Sequence, residues 1–307
     1  MHDDALDRLA ARTRGGGIVA GRLRGGATEI TVHGEADAAW AYELGSLTKV
    51  YNSRLLLALE ARGVVSRGDL LADCLPSPPW QVPGGITLEQ LATHRAGLPR
   101  LSLGLMRAST DKADPYRSLD LKTLQRTVAR VRSRPWRRGR YSNLGAALLG
   151  HALAARGGAP WEELLRREVL DPLGLHETGT DPAPPLAQPH RRGAEVPPWT
   201  MPQFLAAGAL RSTVQDQLTF LAAELEAAEP ALGWQRRGPL LWHNGGTGGS
   251  ASMAAIDPRR GEGIVLLANA AIAGPLTSAG VRLIGMGEPA ARRGRGRGRG
   301  RSASSGS

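Results

Sequence analysis

The chain has 307 residues, of which 41% are hydrophobic and 22% charged, which is typical of a globular protein with a substantial core. Its apolar runs are too short to span a membrane, and its one cysteine, Cys74, excludes an internal disulfide framework. No cluster of Cys and His has metal-ligand spacing, so we predict neither a metal nor a cofactor. The acidic N-terminus lacks the apolar core of a signal peptide, and we therefore expect a cytoplasmic protein.

The net charge of +11 is concentrated at the C-terminal end of the chain. Residues 292–301 form an Arg-Gly repeat with six arginines, without which the net charge is +5. Such a segment cannot bury enough surface to fold, so we predict a disordered tail over residues 289–307. Arg-Gly repeats can bind nucleic acid weakly through phosphate contacts, and a merely solvated tail is the alternative.

The first part of the chain predicts two helices and three strands. Short apolar runs separated by glycine turns predict the strands, and the second helix contains neither Gly nor Pro. These predicted elements are a helix over 3–14, strands over 18–23, 28–32 and 38–43, and a helix over 46–62. A turn at Gly25 and Gly26 joins the first two strands into a hairpin.

The middle of the chain is predominantly helical in its pattern. Thr87 is a candidate N-cap for one of these helices. The predicted helices cover 69–75, 87–92, 119–131, 143–155 and 160–170. Two irregular stretches, 100–118 and 181–202, are predicted loops that we expect to shape a pocket.

The last part returns to strands. A helix begins after Ser212 or Thr213 as its cap. The predicted elements are a helix over 213–225, a strand from 239 towards 255, a turn at 257–261, a strand over 263–268 and a closing helix over 276–284. Strands at both ends with helices between them predict an α+β fold. We expect one domain over residues 1–288, with its sheet part in 1–45 and 204–288 and its helical part in 46–203.

Ser46 and Lys49 begin the 46–62 helix with the spacing Ser-x-x-Lys. Residues three apart lie on one face of a helix, so the amine of Lys49 can reach the hydroxyl of Ser46. A serine hydroxyl is a poor nucleophile until a desolvated amine acts as its base. The helix N-terminus adds unpaired backbone N–H groups that favour developing negative charge.

The lysine content of the chain supports this pair. Only three of the 39 basic residues are lysines, and a buried lysine can lose its proton where an arginine cannot. The same spacing occurs at Ser109 and Lys112, but Lys112 lies between Asp111 and Asp114 in a stretch that predicts a solvated loop. Ser-x-x-Lys is therefore a weak motif by itself and needs partners elsewhere in the chain.

Two later motifs can supply these partners. Tyr141 and Asn143 open a predicted helix, where a tyrosine can relay a proton and an asparagine can orient a lysine or a substrate. Packing of Tyr141 at the helix start is the alternative. The glycine run 245–249 indicates close approach of a backbone or a ligand, and a backbone N–H there can join that of Ser46 in an oxyanion hole. A plain glycine-rich hairpin is the alternative.

Ser-x-x-Lys, Tyr-x-Asn and His-x-Gly, in this order, resemble the three motifs of the serine β-lactamase and penicillin-binding-protein superfamily. The second motif is similar to that of its class C β-lactamase, esterase and D-peptidase branch. The sequence around these motifs is also similar to that branch, at residues 43–49, 91–99, 141–145, 172–175 and 243–249. This resemblance covers about residues 17–270 and implies an antiparallel sheet flanked by terminal helices, with an inserted mainly helical region.

The resemblance also implies a role for each motif. Ser46 would be the acylated nucleophile, Lys49 its proton acceptor, and Tyr141 a partner in acid–base work. The backbone N–H groups of Ser46 and Gly246 would hold the oxyanion. The residues implied in substrate or oxyanion binding are Asn143, His243, Gly245 and Gly246. Of these, Asn143 would bind the substrate or Lys49.

His243 stands where classical β-lactamases have a lysine, which removes the fixed cation that attracts a β-lactam carboxylate. A neutral imidazole can still donate a hydrogen bond to an ester or to Tyr141. We therefore expect a serine hydrolase that acts through an acyl-enzyme on an ester, amide or small peptide, as an esterase or D-peptidase rather than a true β-lactamase. The alternative is a catalytically idle relative that binds a ligand in its cleft or contacts nucleic acid through the Arg-Gly tail.

Overall fold

A six-stranded antiparallel sheet is built from both ends of the chain. The computed structural model of the protein describes residues 4–101, 103–132 and 139–285. Its strands are β1 Gly17–Arg24, β2 Ala27–Gly34, β3 Tyr42–Glu43, β4 His190–Arg191, β5 Ala194–Glu195, β6 Arg211–Ser212, β7 Gln235–Arg237, β8 Leu240–Gly246, β9 Ala251–Asp257 and β10 Glu262–Ala268. The sheet has the order β2-β1-β10-β9-β8-β7, while β3 pairs with β6 and β4 with β5.

The hairpin of β1 and β2 forms where the sequence predicts it. Gly25 and Gly26 make its two-residue turn with φ values of 55° and 80°, which favour glycine. Arg24 pairs with Ala27 across this turn. Turns of this kind match the twist of the flanking strands, so the two glycines fix the register of the hairpin.

Most helices lie between β3 and β6 in the sequence. In the described ranges the helices are α1 Asp4–Ala10, α2 Thr48–Ala61, α3 Leu71–Cys74, α4 Leu88–Ala92, α5 Leu103–Ala108, α6 Leu121–Val128, α7 Asn143–Gly157, α8 Trp161–Leu165, α9 Asp171–Leu173, α10 Leu205–Gly208, α11 Val214–Glu226 and α12 Ala273–Gly285. A 3-10 turn, Gly45–Leu47, precedes α2, and a π turn, Arg166–Leu170, follows α8. Among the described residues, no helix combines the length and apolar character needed to cross a bilayer.

Helices cover both faces of the sheet. On one face, Leu6 of α1 and Leu276 of α12 share a buried cluster with Ile264 of β10. On the other face, Val265 and Leu267 of β10 belong to the main core, which extends through α2, α7 and α11. Successive strand residues point to opposite faces, so the unbroken apolar run of β10 serves both cores. The predicted α+β fold, with terminal helices on an antiparallel sheet and a mainly helical insertion, is confirmed.

Side-chain caps begin two helices at residues that the sequence indicates. Thr87 caps α4 in a reciprocal box with Gln90. Thr213, rather than Ser212, caps α11 by accepting a hydrogen bond from the backbone N of Asp216. Polar residues just before an apolar periodic stretch were therefore reliable markers of these helix starts.

Three local predictions differ from the structure. The strand predicted from 239 towards 255 is two strands, because the backbone N of Thr247 donates to the carbonyl of Ser250 at 3.0 Å and the chain reverses there. The loop predicted over 100–118 contains α5, and the irregular stretch 181–202 contains the short β4–β5 pair. The domain boundaries stay predictions of the sequence, and the tail predicted over 289–307 lies outside the described residues.

We predict that Gly150→Ala destabilises the protein although alanine favours helices. A Cβ on Gly150 of α7 would lie 2.4 Å from the Cβ of Ala206 on α10, so two packed backbones would have to separate. We expect the free energy of unfolding, measured in urea, to fall by about 1–3 kcal/mol.

Gly145→Ala on the same helix is the matched control. A Cβ there meets its neighbours at 3.4 Å or more, an ordinary contact distance. This variant should be neutral or more stable by about 0.5–1 kcal/mol, because alanine loses less backbone entropy than glycine. Equal stabilities of the two variants would contradict the close packing of α7 on α10.

Candidate active site

The candidate nucleophile lies where a tight turn meets a glycine-rich strand. Ser46 is the central residue of the 3-10 turn that precedes α2. A Cβ on Gly45 would lie 2.6 Å from the backbone N of Gly246, and one on Gly245 would lie 2.9 Å from the backbone N of Ser46. Side chains at these positions are therefore excluded by a close backbone approach. The approach brings the backbone N–H groups of Ser46 and Gly246 together at the turn.

Hydrogen bonds hold this turn against its neighbours. The backbone N of Leu44 donates to the carbonyl of Leu210 at 2.8 Å. The hydroxyl of Ser252 in β9 donates to the carbonyl of Leu44 at 2.6 Å. The residue two positions before Ser46 is thus bonded through both its N–H and its carbonyl, which restricts the position of the nucleophile.

Lys49 lies one helical turn beyond Ser46, with its amine buried in the site. Its Nζ donates to Ser46 Oγ at 3.0 Å and to the carbonyl of Ala207 at 2.5 Å. Lys49 is 4% exposed, and this desolvation lowers its pKa well below the usual range, with a further contribution from the charge of Arg100. Burial therefore favours the neutral amine, which is the form that accepts a proton from serine.

Tyr141 lies beside both members of this pair. A side-chain hydrogen bond joins Tyr141 to Ser46, and Lys49 Nζ lies 5.0 Å from the centroid of the Tyr141 ring. Burial raises the pKa of Tyr141, and the Ser46 hydrogen bond and the charge of Arg100 oppose this shift without cancelling it. The phenol therefore keeps its proton at neutral pH and is able to donate it.

The residues around Tyr141 fix the start of α7. The hydroxyl of Ser142 accepts a hydrogen bond from the backbone N of Gly145 at 2.8 Å, a helix cap. The backbone N of Ser142 donates to Nδ1 of His94 at 3.2 Å, and the rings of His94 and Tyr141 are 4.5 Å apart. Burial, followed by the charge of Lys49, lowers the pKa of His94 to about 4. His94 is therefore a neutral neighbour of the tyrosine.

His243 is fully buried in β8, with its ring 6.3 Å from that of Tyr141. Its Nδ1 lies 2.7 Å from the carbonyl of Asn244, which can only accept, so Nδ1 carries the proton. Burial, followed by the charge of Lys49, lowers the pKa of His243 to about 3. Nε2 has no partner in the described part of the chain and presents a lone pair. The expectation that His243 donates to Tyr141 or to an ester is wrong, because its one proton is already used.

Asn143 makes a contact that the sequence did not predict. Its Nδ2 donates to the hydroxyl of Tyr116 at 2.7 Å, and no hydrogen bond joins it to Lys49 among the described residues. Its Oδ1 has no hydrogen-bond partner there. Tyr116 packs between the rings of Trp199 and Phe204, at 5.4 and 5.0 Å. The amide of Asn143 is thus held by an aromatic cluster, and its buried carbonyl oxygen is left without a hydrogen-bond partner among the described residues.

A buried carboxylate links the nucleophile turn to two other segments. Glu43 accepts hydrogen bonds from the backbone N of Trp199 at 2.8 Å, from Thr247 Oγ1 at 2.8 Å and from Ser250 Oγ at 3.0 Å. Burial raises the pKa of Glu43, although these three donors lower it in part. Because Glu43 is three residues before Ser46, it ties the nucleophile to the turn after β8 and to the segment of Trp199.

The structure brings the three sequence motifs together. Lys112, from the second Ser-x-x-Lys, is exposed and makes none of these contacts in the described ranges. Within those ranges, no group of three or more His, Cys, Asp and Glu side chains is placed to hold a metal ion. The residues near the site that sequence reasoning missed are Glu43, His94, Arg100 and Tyr116. Of these, only Glu43 had a signal, an acidic residue between apolar neighbours just before the nucleophile.

The model of the Beta-lactamase family matches residues 3–282 of the chain. The match extends over nearly all of the described residues and includes the three motifs. The chain therefore belongs to the β-lactamase family, a family of serine hydrolases, as the motifs predict.

The individual relatives described next match this chain either over less than half of its length or at low sequence identity. The D-alanyl-D-alanine-carboxypeptidase/endopeptidase AmpH of Escherichia coli (strain K12) is 34% identical over 145 residues, which are 46% of this chain and 37% of AmpH. The chain thus spans little more than a third of that relative. A class C β-lactamase from Rhodobacter sphaeroides matches with a TM-score of 0.74 at 22% identity, covering 92% of this chain and 97% of that one. A β-lactamase/D-alanine carboxypeptidase from Yersinia pestis matches at 0.76 and 19% identity, covering 92% and 95%. These structures share the fold.

We predict that acid weakens the fold through its buried histidines. His243 and His94 have pKa values of about 3 and about 4 in the folded protein, against roughly 6.5 in an unfolded chain. The unfolded chain therefore binds more protons below about pH 6.5, and the stability present above that pH is lost as the pH falls towards the folded values. Between about pH 7 and pH 5, His243 alone should lower the free energy of unfolding by roughly 2 kcal/mol.

This prediction is tested by comparing the parent protein with the His243→Gln variant, whose side chain at position 243 has no titratable group. Urea unfolding at about pH 7 and pH 5 gives a change in the free energy of unfolding for each protein. The loss of unfolding free energy between these pH values should be smaller in the variant by roughly 2 kcal/mol, the part that His243 contributes, whatever the variant's absolute stability. The same change in both proteins would contradict a neutral, buried imidazole.

Proposed function

We propose that the protein is a serine hydrolase that acts through an acyl-enzyme on an ester, an amide or a small peptide. The observation that carries this proposal is the 3.0 Å hydrogen bond between Lys49 Nζ and Ser46 Oγ. The amine in this bond has its pKa lowered by burial, so it is suited to take the serine proton as attack begins.

In the proposed acylation, Ser46 Oγ attacks the carbonyl carbon of the substrate while Lys49 Nζ accepts the hydroxyl proton. The backbone N–H groups of Ser46 and Gly246 stabilise the negative oxygen of the tetrahedral intermediate. Tyr141 gives its proton to the leaving group and regains one from the Lys49 ammonium, so acylation ends with a neutral amine. Water then attacks the ester of Ser46, and the same groups return the proton to the serine oxygen.

Substrate binding is proposed for the neutral polar groups around this centre, those of Asn143, His243 and Gly245. Asn143 Oδ1 and His243 Nε2 are buried acceptors without partners in the described part of the chain, and they suit a substrate with N–H donors. His243 carries no charge at neutral pH, so β8 offers no cation to a β-lactam carboxylate. These features favour esterase or D-peptidase activity over β-lactam turnover, and the name of the relative AmpH agrees with a peptide substrate.

The idle-relative alternative fits the contacts less well. A scaffold without catalysis does not require a buried amine hydrogen-bonded to a partly accessible serine, yet Lys49 and Ser46 are placed in this way. Nucleic-acid contact by residues 292–301 stays a prediction, because these residues lie outside the described part. The cytoplasmic location likewise stays a prediction of the sequence.

We predict that Ser46 is the one serine acylated by an activity probe. A fluorophosphonate probe should add one adduct by intact mass, and peptide mapping should place it on Ser46, because among the serines that the structure describes only that hydroxyl has a buried amine as partner. Ser46→Ala should abolish the adduct, while Ser109→Ala, which alters the second Ser-x-x-Lys, should leave it unchanged. An adduct on Ser109, or none on a folded protein, would overturn the assignment.

We predict activity on short activated esters with little β-lactam turnover. The measurement is kcat/KM for p-nitrophenyl butyrate against that for nitrocefin. The ester should be preferred by about a hundredfold or more, since the charge-assisted contact that is missing at β8 costs roughly 1.5–3 kcal/mol and deacylation of a bulky group adds to the barrier. Efficient nitrocefin hydrolysis by the parent protein would show that a neutral His243 does not exclude β-lactams.

A further inference from the structure

A guanidinium group lies beside the proposed site on the segment that leads into α5. Arg100 is exposed, and its carbonyl accepts hydrogen bonds from the backbone N of Asn143 at 3.1 Å and of Leu144 at 3.2 Å. These bonds attach the residue to the first turn of α7, the helix that follows Tyr141. The backbone of Arg100 is therefore fixed relative to the site, although its side chain is open to solvent.

The side chain is directed towards the catalytic centre. Its Cζ lies 5.8 Å from the centroid of the Tyr141 ring. Its charge lowers the pKa of Lys49 and opposes the raised pKa values of Tyr116 and Tyr141. These three groups belong to different parts of the chain, so a charge that acts on all of them lies where they converge.

The guanidinium has no acidic partner within the described ranges. The carboxylate of Asp114, which neighbours Tyr116 in the sequence, is already used by the backbone N of Tyr116 and by the N–H and hydroxyl of Thr200. His94 and His243 are neutral at neutral pH, as argued above. Arg100 is thus a permanent positive charge beside a site whose two histidines are neutral at neutral pH.

We propose that Arg100 is the anion-binding residue of the site and selects substrates that carry a carboxylate. A guanidinium presents paired N–H donors that match a carboxylate, and a cation without an acidic partner does not need to break an ion pair to bind one. The inference rests on the proposed hydrolase function and narrows it to anionic esters, amides or peptides. The carboxylate would be held beside the start of α7, not by β8, where β-lactamases with a lysine in the third motif hold theirs.

The experiment compares a neutral ester with two anionic ones. The neutral ester is p-nitrophenyl valerate; mono-p-nitrophenyl glutarate places the carboxylate on the acyl group, and 3-carboxy-4-nitrophenyl valerate places it on the leaving group. The selectivity is the ratio of kcat/KM for each anionic ester to that for the neutral one. In the parent protein, at least one ratio should exceed one and should decrease as salt is raised from about 0.05 to 0.5 M.

Three variants of Arg100 test the residue itself. Arg100→Gln should reduce the favoured ratio by about tenfold and remove its salt dependence, because one charge-assisted contact is lost. Arg100→Lys should restore part of the ratio, and Arg100→Glu should bring it below that of Arg100→Gln. The control is Arg130→Gln, which removes the same charge from an exposed position at the end of α6 and should leave both ratios unchanged.

The outcomes separate this inference from the function on which it rests. Hydrolysis of the esters with ratios that do not differ between the parent and Arg100→Gln would overturn the anion-binding role alone. A similar decrease in Arg130→Gln would also overturn it, because net charge would then explain the effect. Failure to hydrolyse any ester, with no fluorophosphonate adduct on Ser46, would overturn the proposed hydrolase function and the inference with it.

Discussion

The contact between the turn of Ser46 and strand β8 is the constraint on which the site depends. A Cβ on Gly245 would lie 1.9 Å from the carbonyl of Leu44, so the two backbones touch with no room for a side chain between them. Through this contact the nucleophile, from the start of the first long helix, meets a backbone N–H from a strand about two hundred residues later in the chain. Strand β8 pairs with β9 and β7 on its two sides, and residues of β8, β9 and β10 belong to the main core, which gives the turn a rigid support.

Burial is the second constraint, because it decides which groups carry charge. Lys49, His94 and His243 are three nitrogen bases in one cluster, and burial is the largest cause of the lowered pKa of each. A charge on Lys49 further disfavours protonation of either histidine. Burial therefore disfavours the protonated form of all three groups, and this suits the lysine to receive the proton that serine releases.

The local parts of the fold and site were predictable from the sequence, and the long-range parts were not. Ser46, Lys49 and Tyr141 lie within short motifs, and the β1–β2 hairpin follows from a pair of glycines, so neighbouring residues suffice to predict them. The turn between β8 and β9 was predicted only as the alternative interpretation of the glycine run, because a continuous run of glycine and small residues gives no boundary by composition. Tyr116 and Arg100 were missed for another reason: their roles arise from contacts with α7, and nothing in their own neighbourhood predicts these.

The buried carboxylate of Glu43 has a mechanical consequence. It joins the backbone of the nucleophile to Trp199, which lies in the irregular stretch before α10 and packs on Tyr116. A large ligand that displaced Trp199 would pull on Glu43, and so on the turn three residues further along. The position of the Trp199 segment and the alignment of Ser46 are therefore coupled through a single side chain, so that a substitution that shifts the backbone at Trp199 also perturbs the turn of the nucleophile.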